Sequence, residues 1–147
     1  MMSRREALQV AEVKFNHEGH EGKAGALEVL ARDVIDSGLK VHKALGPGLL
    51  ESAYEHCLAH ELHSRGHSIG RQVVLPICYD GAILDAGYRL DIVVESAIIV
   101  EIKAVDALTR VHDAQVLTYL KLSGYRIGFL MNFNVSLFKQ GLKRLVL

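Results

Sequence analysis

The chain has no tryptophan, only two prolines and two cysteines among 147 residues, and no excess of charge of either sign. Two cysteines cannot build the disulfide framework on which small secreted domains depend. Cys57 and Cys78 have no metal-ligand spacing between them, and each lies in apolar surroundings. Buried free thiols in a reducing cytoplasm are therefore the expectation. No apolar run approaches the length of a membrane span, and the opening stretch MMSRREALQVAEVKFNHEGHEGKAG has no signal-peptide apolar region, so no membrane partner is expected. Lys+Arg and Asp+Glu both number 17, a formal net charge of zero. Proteins that grip nucleic acid through bulk electrostatics show a basic excess, which argues against that mode of binding. A metal-dependent nuclease is not excluded, because the carboxylates of a metal site offset basic residues elsewhere. Repeats and low-complexity tracts are also absent.

What is present is a globular composition, half apolar and 23% charged, which fits one domain with a real core. The second half of the opening stretch is polar and contains glycine. It marks residues 1–25 as a loosely attached extension of a domain over residues 26–147. Leu27, Leu30, Val34, Ile35, Val41 and Leu45 follow helical spacing, and GPG at 46–48 breaks the chain. A second helix runs from Leu49 to Arg65 and stops at Gly66. The rhythm then becomes that of strands: RQVVLPICY (71–79), the hairpin signal Asp80-Gly81, ILDAGYRLDIVV (83–94) and AIIVEIKAV (97–105). A third helix covers 109–124, RIGFLMNF (126–133) is an apolar strand, and LFKQGLKRLVL (137–147) is a short strand or helix. The order ααβββαβ predicts an α/β fold with a mixed central sheet flanked by helices.

One strand ends in opposite charges, Glu101 and Lys103, which share a face because they are two residues apart. If the preceding loop is Glu95-Ser96-Ala97, Val94 pairs with Ile98 and Asp91 falls opposite Glu101, so that all three charges cluster. A two-residue loop would instead turn Asp91 to the other side of the sheet. Two carboxylates at the edge of an apolar sheet suit a hard divalent cation such as Mg²⁺. A lysine beside them can orient or deprotonate an attacking water, a combination that hydrolyses phosphodiesters. A structural Glu101–Lys103 ion pair is the competing explanation.

On the second helix Leu50, Tyr54, Cys57, Leu58 and Leu62 form the apolar stripe, and Glu51 lies at its edge. In the first turn Glu51 also favours the helix dipole. Glu61 falls inside the stripe but stands about 15 Å from Glu51 along the helix, too far to share a metal with it. An ion pair with a buried arginine or lysine is expected for Glu61. On the third helix Val111, Gln115, Tyr119 and Leu122 share a face, where Gln115 and Tyr119 can support each other.

The pattern Asp91…Glu101-Ile102-Lys103 resembles the signature of the PD-(D/E)XK nuclease superfamily. GLLESAY (48–54) matches, through Gly48, Glu51 and Tyr54, the motif that names the GxxExxY proteins, and KVHKALGPG (40–48) is similar to their lead-in. Gln115 and Tyr119 in HDAQVLTYL (112–120) are similar to the QxxxY element of exonuclease-like members. The resemblance spans about residues 27–135. It implies a restriction-endonuclease-like fold and a metal-dependent phosphodiesterase, a nuclease acting on nucleic acid, with DNA as the expected substrate and Mg²⁺ or Mn²⁺ as cofactor. Asp91, Glu101 and Glu51 become metal ligands, Lys103 the catalytic lysine, and Gln115 and Tyr119 accessory residues of the site. The signature proline is replaced, with Leu90 preceding Asp91.

Two readings from other classes compete. A nuclease fold can be kept as a catalytically inactive binding module, although such a module has no need of the full Asp91, Glu101 and Lys103 set. His56, His60, His63 and His67 form a stripe that can bind Zn²⁺, with no third-ligand motif beside it. Arg71, Arg89, Arg110, Lys121 and Arg126 are candidate phosphate contacts or ordinary surface charge. A small neutral domain could also dimerise to grip a duplex.

Overall fold

Helical spacing extends further back than Leu27. Helix α1 spans Glu21–Leu45 in the computed structural model, which describes residues 21–147. Of the segment expected to be loosely attached, residues 1–20 lie outside the described residues and residues 21–25 are helical. Ala31, Val34 and Val41 of α1 are buried in the core.

Gly46 and Gly48 then take left-handed backbone angles, φ +67° and +101°, which a side chain would resist. Helix α2, Glu51–Ser64, follows directly. Tyr54 holds this junction. Its hydroxyl donates to the Gly46 carbonyl at 2.6 Å and accepts from the Leu49 amide at 3.1 Å, while its ring stacks on Phe133 with centroids 4.6 Å apart. Gly48 and Tyr54 thus fix where α2 begins, and with it the position of Glu51. Tyr54→Phe should keep the stack, lose both hydrogen bonds, and cost about 1–2 kcal/mol in urea unfolding.

The main sheet has the order β1-β4-β5-β6-β7, with β1 Ile69–Val74, β4 Arg89–Val94, β5 Ile98–Lys103, β6 Ile127–Asn132 and β7 Leu142–Val146. Only the β5–β6 ladder is parallel, which makes the sheet mixed. Helix α3, Arg110–Ser123, supplies the crossover that a parallel pair needs. Ile98, Val100 and Ile102 pack with α1 and α2, whereas Ile99 packs with Val116, Tyr119 and Leu120 of α3. Alternation therefore turns Glu101 toward the α3 side.

Four expectations are corrected. The run 71–79 is not one strand, because Pro76 has no amide to give to a ladder. The chain leaves the main sheet there, and β2 (Ile77–Tyr79) pairs with β3 (Ala82–Leu84) across the Asp80-Gly81 turn. The run 83–94 is not one strand either, because its start belongs to β3 in that hairpin and its end to β4 in the main sheet. Cys78, on that separate hairpin, is exposed rather than buried, and Cys57 is half-buried. The C-terminal stretch is both helix and strand, a single turn α4 (Phe138–Gly141) running into β7.

Candidate active site

The β4–β5 turn decides whether the charges meet. Val94 pairs with Ile98, Val93 with Ile99 and Ile92 with Val100, so the loop is Glu95-Ser96-Ala97, with Glu95 and Ser96 in left-handed conformations. That register carries Asp91 to the level of Glu101. The ladder stops at Ile92 and Val100, and beyond it the Ile102 amide donates to Asp91 Oδ2 at 2.9 Å. A side-chain carboxylate takes the place of a backbone carbonyl where the two strands part.

Glu101 is 3% exposed, and its Oε2 is buried with no hydrogen-bond partner among the described residues. Burial, then the hydrogen-bonding carboxyl of Asp91 and its negative charge, push Glu101 up to about 10, against the pull of Lys103. Lys103 is half-buried and makes no contact ion pair among the described residues, yet its charge acts on both Glu101 and Glu51. Burial of the carboxyl also raises Glu51 above the usual carboxylate range, offset by Lys103 and the Ala104 amide. From α3, Gln115 Nε2 donates to the Tyr119 hydroxyl at 2.7 Å. Burial and then the charge of Glu101 hold that hydroxyl above its ordinary value. Asp91, Glu101, Lys103, Glu51, Gln115 and Tyr119 are thus brought into one electrostatic neighbourhood.

A cavity of about 140 Å³ opens here, lined by Glu51, Ser52, Glu55, Gln72, Asp91 and Ile102. Ser52, Glu55 and Gln72 escaped the sequence reading. Glu55, one turn beyond Glu51, is buried, and accepts from Arg71 Nη2 at 2.8 Å and from Gln72 Nε2 at 2.5 Å. Its place beside Tyr54 and Leu58 on the helix was the available signal, whereas nothing in the sequence marks Gln72. A wider hollow of about 730 Å³, lined in part by Val29, Asp33, His67 and Glu95, lies apart from these carboxylates.

The other candidates go elsewhere. Glu61 pairs with exposed Lys40 at 2.7 Å and with the more enclosed Arg65 at 3.4 Å. His56, His60 and His63 are exposed on α2, but Gly66 turns the chain and His67 binds Asp33 instead. Arg71 and Arg89 are taken up by Glu55 and Asp85, while Arg110, Lys121 and Arg126 are exposed.

Among the described residues no three His, Cys, Asp or Glu side chains form a ready cage for a metal ion. Mg²⁺ does not need one, since one or two carboxylates with several waters commonly hold it. The donors fit such an ion: hard oxygens of Asp91 and Glu101, one of them buried without a partner.

No curated protein and no solved structure matches the chain. A family model described as the PD-(D/E)XK nuclease superfamily matches residues 28–145, from α1 to β7, a span that includes Asp91, Glu101 and Lys103. With the mixed sheet and the paired carboxylates beside it, that match places the chain in the PD-(D/E)XK nuclease superfamily.

Proposed function

We propose that the protein is a Mg²⁺- or Mn²⁺-dependent nuclease that hydrolyses phosphodiester bonds of DNA, of the GxxExxY kind by its Gly48, Glu51 and Tyr54. The observation that carries this reading is the orphaned, buried Oε2 of Glu101 beside Asp91. An uncompensated buried carboxyl costs stability, and its retention beside Asp91, which itself lines the cavity, is explained by a cation. Asp91 and Glu101 would hold that cation, with Glu51 reaching toward it from α2. Bound there, a divalent cation stabilises charge developing on the phosphate and lowers the pKa of the attacking water.

Lys103, held on the same strand face as Glu101, orients that water and neutralises charge that the carboxylates leave over. Gln115 and Tyr119 line the α3 side, where a hydroxyl pre-set by the Gln115 amide can donate to a phosphate oxygen. Exposed Arg110, Lys121 and Arg126 are available to backbone phosphates.

Cleavage of single- and double-stranded DNA with Mg²⁺ and with Mn²⁺ tests the reading. Wild type should cut. Asp91→Ala and Lys103→Ala should each lose roughly 10²–10⁴-fold with folding intact, the equivalent of several kcal/mol of transition-state stabilisation. A wild type that neither cuts nor gains thermal stability with either metal would instead be an inactive binding scaffold.

A further inference from the structure

We infer that Gln72 is a positioning residue for the Asp91 carboxylate, an inference that rests on the metal-dependent reading above. Ladder pairs Arg71–Ile92 and Val73–Leu90 bracket Gln72 and Asp91, which places the two residues opposite each other on β1 and β4. Gln72 is the exception in its strand. Its φ is +49°, a left-handed value that the other non-glycine examples, Asp80, Glu95 and Ser96, adopt only in turns. Glutamine has no intrinsic preference for that conformation.

The side chain explains the distortion. Gln72 Nε2 donates to Glu55 Oε1 at 2.5 Å and reaches Asp91 Oδ1 at 3.4 Å, and Gln72 lines the cavity together with both residues. Asp91 Oδ2 is meanwhile held by the Ile102 amide. The carboxylate plane is therefore approached from two sides by donors on two different strands. Glu55 anchors the amide in turn, since its second oxygen is committed to Arg71. Glu55 is thus a buried support and not a free ligand, which leaves Glu51 as the glutamate of α2 that can face the cation. Groups that orient a ligating carboxylate in this way typically contribute 10–100-fold to metal affinity.

Glycine at this position separates positioning from ordinary structural support. Gln72→Gly relieves the left-handed backbone but also removes the donor to Glu55, two opposing effects, so its thermal stability without metal should stay close to that of wild type. Gln72→Met keeps length and backbone strain but has no donor. Calorimetric titration with Mn²⁺ should show affinity reduced about 10–100-fold in both variants, with native circular dichroism. Wild-type affinity in both variants, or loss in only one, would overturn the inference. Failure of both variants to fold would do the same, because it would make Gln72 a structural tie. If wild type itself takes up no Mn²⁺, the nuclease reading fails first and this inference falls with it. Normal wild-type uptake with unaltered variants refutes the role of Gln72 alone.

Discussion

Replacing Glu101 with glutamine is expected to stabilise the metal-free protein and to lower the proposed cleavage activity sharply. Glutamine keeps the shape, removes an ionisable group that is 3% exposed, and brings an amide that can donate to Asp91. The effect should depend on pH. Burial and the neighbouring Asp91 carboxyl push Glu101 up to about 10 in the folded protein, from an ordinary glutamate value of about 4.5. Between those values the folded state holds a proton that the unfolded state has released, so wild-type stability falls as pH rises through the window. The contribution is complete below about 4.5 and lost above about 10. Asp91 and Glu51 add to the upward push, Lys103 opposes it, and Tyr119 faces the same carboxyl from α3. Thermal unfolding from about pH 5 to about pH 9 should therefore show a declining midpoint in wild type and a flatter one in Glu101→Gln. Saturating Mg²⁺ should flatten the wild-type curve, because a cation favours the carboxylate form, and should leave the variant unchanged. Cleavage by the variant should drop roughly 10²–10⁴-fold.

The largest loss of stability is expected from Gly141→Ala. A Cβ there would sit 2.0 Å from the Asn132 carbonyl oxygen and 3.0 Å from its carbon, and backbone cannot rotate away. At Gly38, by comparison, the nearest atoms are Phe138 Cζ at 2.6 Å and Met131 Sδ at 2.9 Å, the ends of side chains that can shift. Overpacking against backbone in a buried site should cost about 3 kcal/mol or more, lowering the melting temperature on the order of 10 °C. The damage should also reach the site. Asn132 clamps the segment after Lys103, accepting from the Val105 amide at 3.1 Å and donating to its carbonyl at 2.9 Å. Displacing Asn132 loosens the segment that carries Ala104 next to Glu51. Scanning calorimetry of Gly141→Ala and Gly38→Ala measures the contrast, and equal midpoints would refute it.

What the sequence made legible follows from short-range rules. Strand parity brought Asp91, Glu101 and Lys103 together once the loop was taken as Glu95-Ser96-Ala97. The Asp80-Gly81 turn has both residues at positive φ, as its chemistry demands. Glu61 found cations, as a carboxylate on an apolar stripe must, but Lys40 is exposed and Arg65 half-buried, so the partner is not the buried one expected.

The misses have equally local causes. Periodicity saw RQVVLPICY as one apolar run and did not let Pro76 divide it, so the Asp80-Gly81 hairpin was expected, but not its separation from the main sheet or the exposure of Cys78. Leu50 belonged to the predicted stripe but stands outside the helix and is 78% exposed. Glu55 was read past because a buried glutamate is expected only when its partner is known, and that partner, Arg71, comes from a strand. The left-handed turn of Gln72 depends on contacts with α2 and β4 that no local pattern encodes.

Under the proposed function, Asp91 and Glu101 together form a divalent-cation site. Isothermal titration of Mn²⁺ into wild type and Glu101→Gln tests it most directly. Wild type should bind saturably with proton release, since burial favours the protonated Glu101 until a cation replaces the proton, and the variant should lose nearly all of both. Identical titrations of the two proteins, or no binding to wild type, would contradict it.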